Sequence, residues 1–375
     1  MTAHAPVARG GIPILGPLSP LARVAVVATV AVALAAILLD FILHADPTLI
    51  FVVSAAAILG LAWVVGLSTE RLGAISGPQV GGILNATFGN IAELIIAFFA
   101  LQAGLIEVVK ASITGSIIGN LLLVLGLSVL AGGLKNGPQR FSEKVAGSNA
   151  ALLVLAAIGL FVPAIFAFST GGPAADPSSN IIEESVFVSI ALMVGYVLSL
   201  IFGLRNPAET LGGHEDVEQH GGPAWSGRVA IVVLLGAAVL LAFLSEILVG
   251  AIEPFIETFG LSEFFVGVVL IPTIGNLAEH LVAVQLAFKN KMEFAMAVCY
   301  GSSLQVALFV APVLVLIGVV MGQEMTLVFT PLEVAAVGAA VGISALIALD
   351  GESNWLEGAL LTIVYIILAI SFFEL

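Results

Sequence analysis

Thr87–Phe88–Gly89–Asn90–Ile91–Ala92–Glu93 returns 186 positions later as Thr273–Ile274–Gly275–Asn276–Leu277–Ala278–Glu279. The register extends further. Gly81 meets Gly267 and Ala97 meets Ala283, while Glu107, Ala111, Gly115 and Ser116 meet Glu293, Ala297, Gly301 and Ser302 without a gap. Chance supplies Ala and Gly matches in so apolar a chain. It does not supply an Asn pair, two Glu pairs and a Thr pair in one register. The chain therefore carries an internal duplication, and each copy sets an ionisable residue inside a long apolar run.

Those runs decide the class. Hydrophobic residues make up 60% of the 375 and charged residues only 10%, with mean hydropathy +1.18. Soluble domains carry about 25% charge, so no soluble fold of this size covers so much apolar surface. The runs are continuous rather than alternating and reach about 20 residues, the length a helix needs to cross a bilayer. Membrane helices satisfy their own backbone, which irregular chain in lipid cannot do. Spans are predicted at 23–43, 48–67, 79–101, 105–131, 148–168, 183–204, 228–250, 262–288, 292–321, 326–349 and 353–373, eleven helices in all. The single cysteine, Cys299, cannot form an intramolecular disulfide. The formal charge of −14 excludes a nucleic-acid partner. The partner implied is the lipid bilayer, and the oligomeric state is left open.

The basic residues support an odd helix count. Of eleven Lys and Arg, ten fall on the side of the N-terminus: Arg9, Arg23, Arg71, Lys135, Arg140, Lys144, Arg205, Arg228, Lys289 and Lys291. Only Lys110 falls elsewhere, near the start of helix 4. The positive-inside rule puts the N-terminus in the cytoplasm and the C-terminus across the membrane, with a prokaryotic inner membrane as the expected setting. The first helix lacks a secretion-signal layout and is expected to remain in the mature protein.

Helices 3 and 4 correspond to helices 8 and 9. Five helices separate the copies, so the second enters from the opposite side. The predicted fold is all-α and polytopic. A cytoplasmic segment (1–22) precedes an extra helix (23–43), a first five-helix repeat (48–204), a polar cytoplasmic linker (205–227) and an inverted second repeat (228–373). Inverted repeats typify secondary transporters, with the binding site at the midplane where the repeats meet.

The chemistry rests on Glu93 and Glu279. A charge at the bilayer centre costs at least about 2.5–3.5 kcal/mol and needs a compensating partner. Inverted repeats bring the two together, and close carboxylates cannot both stay ionised without a cation between them. A divalent ion satisfies both; without it, at least one takes a proton. Ion/proton exchange follows from the electrostatics. Hard oxygens select Ca²⁺ or Mn²⁺, and the metal is cargo, so no cofactor is implied.

Asn90 and Asn276 are candidate ligands, with interhelical hydrogen bonding as the competing role. Gly89 and Gly275 are expected to let the helices open and offer carbonyls, helped in the second copy by Pro272, which lacks a backbone donor. Thr87 and Thr273, three residues before each Asn, read as packing residues. Ser112, Ser116 and Asn120 on helix 4, and Ser302, Ser303 and Gln305 on helix 9, read as flanking groups or small-residue packing. His280 is placed to relay protons or to pack. Glu70 and Glu246, in the similar stretches Leu67–Ser68–Thr69–Glu70 and Leu244–Ser245–Glu246, could lie on the ion's path or be solvated span ends.

Gly81–Leu94 and Ile271–His280 resemble the two signature repeats of the cation/proton exchanger family, in the calcium/cation antiporter superfamily. Gly301–Gln305 and Leu244–Glu253 are similar to that family as well. The resemblance implies an eleven-helix fold in which Glu93 and Glu279 bind Ca²⁺ and exchange it for protons. It also implies that helices 1 and 6 slide against a core of helices 3, 4, 8 and 9. The Glu279–His280 pair favours the proton-coupled branch over a Na⁺-coupled exchanger. The family's acidic linker is represented by four acids and two histidines: Glu209, Glu215, Asp216 and Glu218, with His214 and His220. A cation channel, which conducts without coupling, fits inverted repeats less well. Metal-dependent hydrolysis calls for His/Asp clusters on a helix, so the chain is read as a non-enzyme.

Overall fold

The computed structural model describes residues 14–374 apart from 78–79, 82–83, 85–86, 170–178 and 207–224. Most of the expected linker and the first half of the expected N-terminal segment lie outside the described residues. Among the described residues the chain is helical, with one two-stranded ribbon. Nine helices among the described residues are long and apolar enough to cross a membrane. They are α1 (Pro20–Phe41), α2 (Pro47–Ser76), α4 (Ile106–Asn136), α5 (Glu143–Ser169), α6 (Ser179–Arg205), α7 (Gly227–Gly250), α9 (Glu263–Phe288), α10 (Met292–Met321) and α12 (Trp355–Phe373). Two shorter apolar helices are α3 (Ile91–Gln102) and α11 (Pro331–Ile347). A short helix absent from the sequence reading, α8 (Ile252–Phe259), follows α7. It turns Ile252 and Phe255 inward and ends at Gly260, whose φ of 62° a side chain would resist.

Helix starts follow local chemistry. Ser19 precedes Pro20, Asp46 precedes Pro47 and Thr330 precedes Pro331, each side-chain oxygen taking an N-terminal amide while proline occupies the first turn. Thr330 with Glu333, and Asn354 with Glu357, complete capping boxes. The expected tenth span, 326–349, therefore becomes helical only from Pro331.

The expected second span ended at residue 67, but α2 runs on to Ser76. Polar residues alone do not end a helix. Ser68 and Thr69 return their hydroxyls to the carbonyls of Val64 and Val65, at 2.8 and 3.0 Å. The stop waits for Gly77, at φ 88°. Glu70 and Arg71 are thus inside a helix, not after one.

The core is α4, buried through 72% of its apolar window against 17% for α1 and α6. Exposed Leu21, Phe187, Val239 and Ile370 leave the outer surface apolar, as lipid contact requires. Helix α2 packs along α7, and α1 covers that pair from outside. Helices α9 and α12 pack on α4. Gly115 on α4 faces the Val268 carbonyl of α9, and Gly267 faces Val108, so the two helices cross at backbone distance.

Three loops meet at one end. Strand β1 (Gln139–Arg140) pairs antiparallel with β2 (Glu352–Ser353), Gln139 opposite Ser353. The buried Gln139 amide donates to Ala287 O and Asn290 Oδ1, both at 2.9 Å, tying the end of α4 to the end of α9. Elsewhere Arg71 Nε donates to Trp225 O at 2.6 Å and Trp225 Nε1 to Ile14 O at 2.7 Å, joining α2, α7 and the chain ahead of α1. Gln139→Leu removes both amide donations while keeping most of the volume. We expect it to lower stability by about 1–3 kcal/mol, read as a lower unfolding temperature of the detergent-solubilised protein.

Candidate ion-binding site

The two Gly-Asn-x-x-Glu copies fold differently. In the first, Thr87 and Phe88 are helical, Gly89 and Asn90 form a turn, and α3 restarts at Ile91. Thr87, Asn90 and Glu93 therefore do not share one continuous helical face. Asn90 occupies the N-cap position without making a side-chain cap bond, so its amide is free to reach another helix. Glu93 falls in the first turn of α3, where the helix dipole favours a carboxylate.

In the second copy the helix is continuous from Ile271 to Phe288, through Thr273, Asn276 and Glu279. The expected opening at Gly275 does not occur. A π-helical turn, Val266–Leu270, comes just before, and Pro272 sits in the first turn of the resumed α-helix, where proline is tolerated.

Glu93 is 6% exposed. Its Oε1 accepts from Ser116 Oγ on α4 and from Asn276 Nδ2 on α9. Its Oε2 is buried and takes no hydrogen bond. Glu279 lies within electrostatic reach of Glu93, and its Oε2 is likewise buried and unpartnered. Two carboxylates, each with one buried oxygen that no protein donor reaches, are what a cation or a proton would satisfy.

Around them runs a polar network. Asn90 Nδ2 donates to Gln305 Oε1 at 2.8 Å, and Asn90 Oδ1 accepts from Ser302 Oγ at 2.9 Å. Asn120 Nδ2 donates to Ser302 Oγ at 3.0 Å. Asn120 lies in a π-helical turn, Gly119–Val124, and a second such turn, Val306–Val310, follows Gln305. The offset of 186 carries 119–124 onto 305–310, so both helices are widened at matching positions. Such turns gather at functional sites.

A cavity of 310 Å³ reaches this centre, lined by Glu279, Gly89, Gly275, Ser302, Gln305 and Glu70 among others. Its other wall is α2, from Ala62 to Glu70. Sequence reading flagged only Glu70 in that wall. The rest is small or apolar, and nothing in its composition marks it as cavity lining. Helices 1 and 6 of the sequence reading do not line it: α1 packs outside α2 and α7, and α6 packs on α5 and α10.

Several candidates are placed elsewhere. Ser303 and Ser112 bond back to Cys299 O and Val109 O of their own helices, at 2.9 and 2.8 Å. Thr273 bonds back to Val269 O at 2.6 Å. Thr87 is exposed. Glu246 lines a separate hollow with Asp40, between α1 and α7. His280 does not line the cavity, and its Nε2 is buried without a partner. Sequence reading missed Glu333, 1% exposed on α11, which accepts from Thr114 Oγ1 at 2.9 Å and from the Thr330 amide at 2.8 Å. Its capping-box spacing was the available signal, and its oxygens are already satisfied.

The sodium/calcium exchanger protein family matches residues 47–205 and 229–373. The chain belongs to the sodium/calcium exchanger family. Within this family it is 43% identical over 344 residues to the Ca²⁺/H⁺ antiporter ChaA of Bacillus subtilis (strain 168), covering 89% of this chain and 94% of that protein. It is 44% identical over 348 residues to a Ca²⁺/H⁺ antiporter of Synechocystis sp., covering 87% and 91%. Native YfkE, a solved structure, superposes with a TM-score of 0.79 at 39% identity, over 94% of this chain and all of that one. The H⁺/Ca²⁺ exchanger CAX superposes at 0.74 over 95% of this chain and 93% of that one, with 16% identity, a likeness of fold. The family's relatives are antiporters, consistent with a non-enzyme, and the resemblance read from residues 81–94 and 271–280 holds.

Proposed function

We propose that this chain exchanges Ca²⁺ for H⁺ across a membrane by alternating access, with the ion held between Glu93 and Glu279. The observation that carries the reading is the pair of buried, unpartnered oxygens, Glu93 Oε2 and Glu279 Oε2, beside one cavity. Ca²⁺ binding displaces protons from the pair, and proton binding releases Ca²⁺, because two close carboxylates hold either a cation or a proton. The side-chain oxygens of Asn90 and Asn276, and carbonyls at the turn of Gly89 and Asn90, complete the ion's shell in this reading. Ser116, Ser302, Asn120 and Gln305 orient the ligands. Mn²⁺ satisfies the same hard donor set. The names of the relatives at 43–44% identity favour Ca²⁺ and H⁺.

The finer architecture belongs to the same reading. The nine long helices with α3 and α11 make eleven crossings. One extra helix precedes two inverted five-helix repeats, over 48–204 and 228–373, with the linker 205–227 between them. The N-terminus is cytoplasmic, and the Glu70 end of the cavity opens to that side. In this reading α2, which lines the cavity, moves with its partner α7, in place of helices 1 and 6.

The test is Ca²⁺ uptake into liposomes holding the purified protein, with a proton gradient and no Na⁺. Uptake that collapses with a protonophore is expected. Uptake only when Na⁺ is supplied moves the chain to a Na⁺-coupled exchanger, and uptake indifferent to both gradients makes it a channel.

A further inference from the structure

The asparagines of the two copies make different contacts, although the Gly-Asn-x-x-Glu sequence that holds them is duplicated. The offset of 186 pairs Asn90 with Asn276, Glu93 with Glu279 and Ser116 with Ser302. Asn276 crosses to the other copy and donates to Glu93. The mirror contact, Asn90 to Glu279, is not made. Asn90 Nδ2 goes to Gln305 Oε1 at 2.8 Å instead, its Oδ1 is held by Ser302 Oγ, and Glu279 Oε2 is left without a donor. The offset carries Gln305 onto Gly119, which has no side chain. No group in the first copy competes for Asn276 as Gln305 competes for Asn90.

We propose that Gln305 is a positioning residue that sets which face of the membrane the site opens to, by holding the Asn90 amide away from Glu279 in the state described here. That state has Glu93 enclosed by Ser116 and Asn276, and Glu279 in the wall of the cavity that reaches Glu70. In the mirror state Asn90 passes to Glu279, enclosing it, and Asn276 releases Glu93. Gln305 can accept from Asn90 only in the first state, so its bond favours opening toward Glu70. The proposal rests on the Glu93/Glu279 exchange site argued above.

The apparent half-saturation concentration on each face varies inversely with the fraction of protein open to that face. The ratio of the two Ca²⁺ half-saturation values therefore reads the equilibrium between states directly. Half-saturation is measured by transport in inside-out and right-side-out vesicles. For Gln305→Ala the ratio, Glu70 face over opposite face, is expected to rise about fivefold, the shift that one neutral hydrogen bond supplies. Gly119→Gln supplies the missing acceptor for Asn276, and a Cβ there meets nothing within 4 Å. It stabilises the mirror state and should raise the same ratio without touching Gln305. A Gln305 that merely lines the ion's path would weaken both faces by one factor and leave the ratio unchanged, which overturns the proposal. Exchange by the parent protein with an unshifted ratio in both variants removes only the role of Gln305. No exchange by the parent removes the underlying site reading, and the Gln305 role with it.

Discussion

Glu279→Gln and Glu93→Gln are each expected to abolish Ca²⁺/H⁺ exchange while leaving the protein folded. Glutamine keeps the shape and one carbonyl oxygen of glutamate, so the hydrogen bonds that position Glu93, from Ser116 Oγ and Asn276 Nδ2, retain their acceptor. What is lost is the charge. Removing one partner of a buried charged assembly costs about 3–5 kcal/mol, or at least about 100-fold in Ca²⁺ affinity. The protonation half of the cycle fails as well, because a carboxamide does not titrate. The check has two parts: Ca²⁺ uptake into proteoliposomes driven by a proton gradient, and the elution profile and thermal unfolding of each variant. Uptake within tenfold of the parent in either variant, with the fold intact, removes that glutamate from the site.

The glutamates were legible in the sequence because burial in a membrane makes an ionisable residue expensive. The duplication also named both at once. Their immediate environment was less legible. Ser302 and Ser303 are neighbours of one type, but adjacent helical residues point about 100° apart, and only the packing of α10 on α4 shows which faces the site. Ser302 meets Asn90 and Asn120, while Ser303 bonds its own helix. The two Gly-Asn copies are nearly identical yet one breaks its helix and the other does not. A π-helical turn and Pro272 precede the second copy, and the contacts between helices are ones a local reading does not contain. The π-helical turns themselves leave no trace in hydropathy, since they change the hydrogen-bond register and not the composition. The wall from α2 was missed for a related reason. Glu70 looked like the solvated end of a helix because Ser68, Thr69 and Arg71 surround it, and the backward bonds of Ser68 and Thr69 that let α2 continue are invisible in polarity alone.

Gly275→Ala is expected to reduce exchange by about 10- to 100-fold without unfolding the protein. The expected purpose of Gly275, a local opening of the helix, is absent, so the glycine needs another explanation. It lies in the crossing between α9 and the first turn of α3: a Cβ added there would lie 2.7 Å from Glu93 Cγ and 3.7 Å from Glu93 Cα. Glu93 has nowhere to retreat. It is buried, its Oε1 is fixed by donors from two other helices, and its Cγ lies mid-chain, where rotation of the carboxylate gives no relief. Overpacking of this kind costs about 1–3 kcal/mol, here charged to the position of a proposed ion ligand and so read as Ca²⁺ affinity. Gly301 is the control. It lines the same cavity from α10, but a Cβ there meets nothing within 4 Å. Gly301→Ala gains helix propensity of up to about 1 kcal/mol and should exchange Ca²⁺ like the parent. If the two alanine variants lose activity equally, the close approach at Gly275 is not what sets the position of Glu93. If Gly275→Ala alone fails, the missing side chain at residue 275 is part of the site, a space kept empty so that one carboxylate can occupy it.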